Sequence, residues 1–206
     1  TFTDLVLSNT DTDRLVFHKV PSTPEDPSTA LVQGIIEIIK IAGVQNEDVQ
    51  LLIHGTTVAT NTILQRKGAR TALITTAGFR DILEFRRGMK DDTFNWRVDF
   101  PKPLSPRHMR MEVPERVVHT GDVLTPLDED AARKAVRTLK EKGVEAVAVC
   151  FLFSFLHPDH EQRVGEIIRE EMPDVFISLS CQVSPQVREY ERISTTALDA
   201  YIGPRL

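Results

Sequence analysis

Residues 51–79 read LLIHGTTVATNTILQRKGARTALITTAGF, and the character of the chain changes three times within them. Leu51, Leu52 and Ile53 form an apolar run that predicts a short strand. His54, Gly55, Thr56 and Thr57 are small and polar, the composition of a turn. Val58, Ala59, Thr62, Ile63 and Leu64 then recur at helical spacing, and Lys67-Gly68 closes that segment. Thr71 to Thr75 is a second strand candidate. Strand, turn, helix, strand is the repeating unit of a sheet covered by helices, so the stretch predicts an α/β fold. Chemistry in such folds gathers at the turn, where a strand's carboxyl end meets a helix's amino end.

The pattern extends in both directions. Upstream, DLVLSN (residues 4–9) and LVFHKV (15–20) flank a turn-rich TDTD and predict a hairpin. A helix follows, with Glu25 and Asp26 at its start, Leu31, Ile35, Ile38 and Ala42 on its inner face, and Gly43 at its end. Downstream, RDILEFR (80–86) predicts a short helix, residues 88–106 show no period, and 109–120 hold an irregular strand interrupted by Pro114. Thr125-Pro126-Leu127-Asp128 caps a helix with Ala132, Ala135, Val136 and Leu139 inward, ended by Gly143. EAVAVCFLFS (145–154) is an apolar run expected to be a strand covered on both faces. His157-Pro158 opens a helix with Val164, Ile167 and Ile168 inward, VFISLS (175–180) is a further strand, and Ser184-Pro185 is expected to cap a last helix striped by Val187, Tyr190, Ile193, Ala197 and Tyr201.

The 206 residues suffice for one large domain, with a subdivision into 1–87 and 107–206 around the loop 88–106. A net charge of -5 with interspersed signs leaves no basic stripe, which argues against nucleic acid and anionic membranes as partners. No apolar run approaches the ~18 residues that would span a bilayer. Cys150 and Cys181 lie far apart in or beside apolar runs and read as buried free thiols, which suits a cytoplasmic setting. The chain begins Thr1-Phe2-Thr3-Asp4 and is expected to be a piece of a larger protein.

The first site candidate is the turn. Gly55 would let the backbone bend or approach a ligand. Thr56 or Thr57 would cap the helix and leave hydroxyls and free N–H groups for an anion or polar substrate. His54 can donate, accept or shuttle a proton, and Asn61 and Thr62 stand one turn further on. A capped turn with no chemistry fits the same residues. His157 and His160 have the spacing of two metal ligands on one helical face, but no third ligand is near in sequence and capping is the better reading. Asp91-Asp92 reads as a solvated loop. The run Arg188-Glu189-Tyr190-Glu191-Arg192 fits intrahelical ion pairs. Walker A, GxSxG, HExxH and GxGxxG motifs are absent.

HGTTVATNTILQRKGARTALITTAGFRDILEFRR (54–87) and REYERISTTALDAYIGP (188–204) resemble the amino-terminal region of the hydantoinase A/5-oxoprolinase family. The resemblance covers essentially the whole chain. It implies a ribonuclease-H-like lobe of the actin, Hsp70 and sugar-kinase type, with a mixed sheet and flanking helices. It implies ATP-dependent attack on a cyclic amide of the hydantoin or 5-oxoproline kind, the carbonyl being activated by phosphorylation. It also implies a partner subunit or domain of the hydantoinase B type. The family's phosphate loop is Asp-x-Gly-Gly-Thr-Phe-Thr-Asp, of which Thr1 to Asp4 match the second half. On that basis Thr1, Thr3 and Asp4 are candidates for the ATP phosphates. His54, Thr56 and Thr57 are candidates for catalysis, and Gly55, Asn61 and Thr62 for substrate binding. ATP and Mg²⁺ are expected in the longer enzyme, with neither firmly bound by residues 1–206 alone and no turnover from them. A subunit of a ketone carboxylase on the same scaffold is the alternative, and a non-catalytic binding or assembly module the second.

Overall fold

The computed structural model describes residues 2–23, 26–88, 92, 94–95 and 97–206. Thr1, Glu25 and Asp91 lie outside that set. The chain divides into two compact units, residues 1–55 and 56–206.

In the first unit, β1 (Phe2–Asn9) and β2 (Arg14–Pro21) form an antiparallel hairpin, with Asp4 opposite Lys19 and Val6 opposite Phe17. Asn9 Oδ1 accepts from the N–H groups of Asp11 and Thr12, so the side chain shapes the turn. Helix α1 (Pro27–Ala42) packs on the hairpin. Asp26 accepts from the Ser28 N–H at its start, and Gly43, at φ 70°, closes its end. A Cβ on Gly34 would stand 2.6 Å from Leu5 Cδ1, so glycine there lets the helix come down on the strand. Val20, Ala30 and Ile38 are buried between the layers. Strand alternation leaves Phe2, Val6, Leu15 and Phe17 outward and exposed.

The strand expected at residues 51–53 does not form. Leu51 and Ile53 are 75% and 84% exposed, and β1 pairs only with β2 among the described residues. An apolar run becomes a strand only where a neighbouring edge takes up its N–H and C=O groups.

The second unit is a three-layer α/β sandwich. Its strands are β3 (Thr71–Thr76), β4 (Arg110–Val113), β5 (Arg116–Val117), β6 (Val123–Thr125), β7 (Ala146–Cys150) and β8 (Phe176–Leu179). Its helices are α2 (Val58–Leu64), α3 (Ile82–Phe85), α4 (Glu129–Glu141), α5 (Asp159–Glu171), α6 (Ser180–Val183) and α7 (Glu189–Ile202). A parallel sheet runs in the order β4-β3-β7-β8, while β5 and β6 make a separate antiparallel pair. On one face Val147 and Val149 pack with Val136, Leu139, Val164 and Ile167 of α4 and α5. On the other, Ala146, Ala148 and Cys150 pack with Ile193, Ala197 and Ala200 of α7. The small residues of β7 on that side admit α7 closely. Each large apolar side chain sealed here contributes about 1.5–3 kcal/mol.

Two expected boundaries move. The strand predicted over 145–154 stops at Cys150. The Phe151 N–H donates to Glu161 and its carbonyl accepts from Arg192 Nη2 at 2.7 Å, so neither group is left for a ladder. The last helix starts at Glu189 rather than after Ser184-Pro185. The Ser184 N–H is used in closing α6 onto Ser180 O, and Val187 is exposed ahead of the helix. Arg188 enters at φ 80°, a sparsely populated conformation for a non-glycine residue.

Candidate functional site

The turn of residues 56–62 is a compact, locally bonded unit. Thr56 Oγ1 accepts from the Val58 N–H at 3.2 Å. Thr57 Oγ1 accepts from Asn61 Nδ2 at 3.2 Å, and the Thr57 carbonyl accepts from the Asn61 N–H at 2.8 Å. The structure therefore brings Thr56, Thr57 and Asn61 together, with Thr62 half-buried beside them. Both threonines are exposed, and each keeps lone-pair capacity for an incoming group. With only seven residues, α2 aligns few peptide dipoles, so an anion here would be held by hydroxyls and N–H groups rather than by a macrodipole.

His54 and Gly55 end the other unit in exposed, irregular chain. His54 makes no hydrogen bond or ion pair among the described residues. No atom lies within 4 Å of the place a Gly55 Cβ would take, so nothing in its surroundings requires glycine. Thr3 and Asp4 lie on β1 and alternate between its faces. Thr3 Oγ1 is 3.1 Å from Ser22 Oγ, and Asp4 pairs with Lys19 at 3.0 Å on the outer face. No group of three His, Cys, Asp or Glu able to hold a metal ion occurs among the described residues.

Sequence reading missed a set of buried polar side chains at the carboxyl edge of the parallel sheet. Glu161, in the first turn of α5, is sealed from solvent. Its Oε1 accepts from the Phe151 N–H and the Ser180 hydroxyl at 2.8 and 2.6 Å, and its Oε2 accepts from the Cys181 N–H at 2.8 Å. Arg192 is fully buried as well. It donates to the carbonyls of Phe151 and Gln186 and lies over the Phe155 ring at 5.3 Å. Its pair with Glu189 at 3.7 Å is the expected intrahelical contact, but the larger part of its work is to tie α7 to the end of β7.

Next to them, Glu115 follows β4 with a side chain 0% exposed. It bonds the Thr76 hydroxyl, and its Oε2 is 2.9 Å from His160 Nδ1. The His157 ring stands edge-on to that of His160, with centroids 5.4 Å apart. The HPDHE spacing was the available signal for His160; its acidic partner, 45 residues away, left none in the sequence.

Both thiols are free, and burial pushes both up, Cys181 to about 12, with the Glu161 charge adding to the effect. No helix among the described residues is long and apolar enough to cross a membrane.

The family model for the hydantoinase/oxoprolinase N-terminal region matches residues 1–172. The chain is 38% identical to caprolactamase subunit alpha of Pseudomonas jessenii, over 99% of this chain and 30% of that protein. It is 37% identical to the acetophenone carboxylase gamma subunit of Aromatoleum aromaticum, over 98% of this chain and 30% of that one. The crystal structure of ATP-dependent caprolactamase from Pseudomonas jessenii superposes with a TM-score of 0.84 at 37% identity, covering 100% of this chain and 30% of the other. A nucleotide-free acetone carboxylase structure superposes with a TM-score of 0.86 at 28% identity, over 99% and 31% of the two chains. The chain thus spans about a third of the length of these relatives.

Proposed function

The chain belongs to the hydantoinase/oxoprolinase family, as its N-terminal region, and on that premise we propose that it is part of an ATP-dependent enzyme that opens a small cyclic amide. The observation that carries this reading is the match, along nearly all of the chain, to the alpha subunit of a caprolactamase. An unactivated ring amide is a poor electrophile. Phosphorylating its oxygen makes the carbon attackable and gives the oxygen a route to leave as phosphate, so the protein's part is positioning and charge stabilisation.

In this reading the hydroxyls of Thr56 and Thr57, with Asn61 and Thr62, hold the amide oxygen or the transferred phosphoryl group. His54 is a further candidate for catalysis and Gly55 for substrate binding. Thr1, Thr3 and Asp4 contribute to the phosphate loop, completed by chain and metal ligands from outside residues 1–206. The enzyme works with a partner subunit, and residues 1–206 alone do not turn over. The free thiols suit a reducing, cytoplasmic setting.

A second reading, the subunit of a ketone carboxylase, is favoured by the superposition on acetone carboxylase. One assay separates the two: nucleoside diphosphate release by the full-length protein with its partner subunit. Release that depends on a lactam, hydantoin or 5-oxoproline, without bicarbonate, supports the hydrolase. Release that requires a ketone and bicarbonate overturns it. Within the hydrolase reading, Thr56→Val or Thr57→Val lowers kcat at least tenfold with little change in melting temperature; unchanged turnover leaves the turn as a structural cap.

A further inference from the structure

The Thr76, Glu115 and His160 side chains meet where the parallel sheet reverses direction. In chain order the strands run β3, β4, β7, yet β4 and β7 flank β3 on opposite sides. The crossover from β3 runs to one side and that from β7 to the other, so the strand order reverses between β3 and β7, and in open α/β sheets the carboxyl end of such a reversal is where ligands lie. Thr76 ends β3, and Leu152 follows β7 directly across from it.

The hydrogen bonds here have one consistent polarity. The Leu152 N–H donates to Thr76 Oγ1 at 3.1 Å, so the Thr76 hydroxyl is an acceptor there and gives its own proton to Glu115. A carboxylate only accepts, so the second Glu115 oxygen, 2.9 Å from His160 Nδ1, is placed to take a proton from that nitrogen. An imidazole with its proton on Nδ1 carries its lone pair on Nε2. The acid is sealed, while the His160 side chain is 12% and that of His157 28% exposed, so the imidazole edge lies at the boundary between core and solvent. A buried acid, an oriented imidazole and one basic nitrogen left over form the arrangement that activates a hydroxyl or water.

We propose that His160 is the general base of the ring-opening step, with Glu115 and Thr76 as positioning residues. This rests on the cyclic-amide reading above. Phosphorylation of the amide oxygen releases the N–H proton and leaves a C=N bond; water then gives one proton to Nε2 while its oxygen bonds to the ring carbon that bears the phosphorylated oxygen. The C=N electron pair moves onto nitrogen, which takes the proton from the imidazolium. The adduct's hydroxyl proton reaches nitrogen by the same route as the C–N bond breaks, giving an amine and an acyl phosphate. A second water, deprotonated at Nε2, displaces phosphate and leaves a carboxylate.

Among the described residues the titratable groups beside His160 are Glu115, His157 and Asp159, the last 3.7 Å from His157 Nε2. Glu161 is turned away to Phe151, Ser180 and Cys181, and Arg163 is engaged by Glu129 of α4 and by Glu166 and Glu170.

The test is His160→Asn in the full-length enzyme with its partner subunit. An asparagine amide stands in for Nδ1–H toward Glu115 and supplies no base at Nε2. The expected result is a loss of roughly 10²–10⁴ in kcat, an unchanged melting temperature and a flattened acid limb of the kcat/KM profile. Glu115→Gln offers Nδ1 a donor, reverses the tautomer and lowers kcat at least tenfold with KM little changed. A His160→Asn enzyme within threefold of wild type, or with the acid limb intact, overturns the inference while leaving the cyclic-amide reading standing. Wild-type enzyme with no ATP-linked opening of a cyclic amide overturns both. Imidazole ¹⁵N spectra of the wild-type protein give an answer without any variant: a proton on Nδ1 of His160 is expected, and a proton on Nε2 refutes the assignment.

Discussion

Removing the Glu161 carboxylate should loosen the carboxyl ends of β7 and β8 together. The side chain is sealed, and it takes the Phe151 N–H, the Cys181 N–H and the Ser180 hydroxyl. In Glu161→Ala the two backbone N–H groups lose their acceptor, while the Ser180 hydroxyl still has Ser154 Oγ at 3.0 Å. A buried donor left unsatisfied costs about 1–3 kcal/mol, so two cost about 2–6 kcal/mol before any cavity is counted. Glu161→Gln keeps the volume but turns one oxygen into an NH₂ that cannot accept. However the amide is turned, a donor faces a donor, at a cost of about 1–3 kcal/mol. At about 1.4 kcal/mol per tenfold, native-state hydrogen exchange in β7 and β8 should quicken roughly 5- to 150-fold for Gln and roughly 30-fold to 10⁴-fold for Ala. Exchange at Phe151 and Cys181 within twofold of wild type in Glu161→Gln would refute the reasoning, because the network would then be redundant.

Two further outcomes follow from the same geometry. With its thiol pushed up to about 12, Cys181 should react with a thiol reagent near pH 8 roughly 10³-fold more slowly in the native protein than after unfolding, and Cys150 more slowly still; rapid stoichiometric labelling of native protein would contradict the burial described. Arg107 grips Asp81 through two hydrogen bonds, at 2.9 and 3.1 Å, and these hold the Asp81 carboxyl below its usual value. A lowered folded value means stability present above the unfolded carboxylate value of about 3.9 and lost as pH falls through the folded one. Arg107→Ala should therefore lower the urea midpoint at about pH 7 and leave it closer to wild type in acid, below the unfolded carboxylate value; an equal loss at both would show that the pairing is not its cause.

Much of the second unit was legible from local pattern. The α4 face of Ala132, Ala135, Val136 and Leu139 is buried as its spacing required, and Asp128 caps that helix by accepting the Ala131 N–H. Interruption of the 109–120 strand at Pro114 is the break between β4 and β5. Such features depend on neighbours within one or two turns, and a sequence displays those directly. Leu51 to Ile53 failed for the opposite reason: apolar content cannot say whether a strand edge is available. The hydroxyl turn was also readable, since Thr56, Thr57 and Asn61 meet through contacts two to four residues apart.

By itself, the sequence determined the family, the α/β alternation and the helix faces, because each of these is encoded at short range. The tertiary structure alone decided which polar side chains are sealed and what they hold. Glu115 and His160 are separated by 45 residues, Thr76 and Leu152 by 76, and Arg192 and Phe151 by 41. In a linear reading these are a charged residue beside Pro114 in an irregular strand, a helix-start histidine and one arginine in a charge run. Only the parallel stacking of β3, β7 and β8 carries their strand ends to one edge, where exclusion of water makes each polar group find a partner.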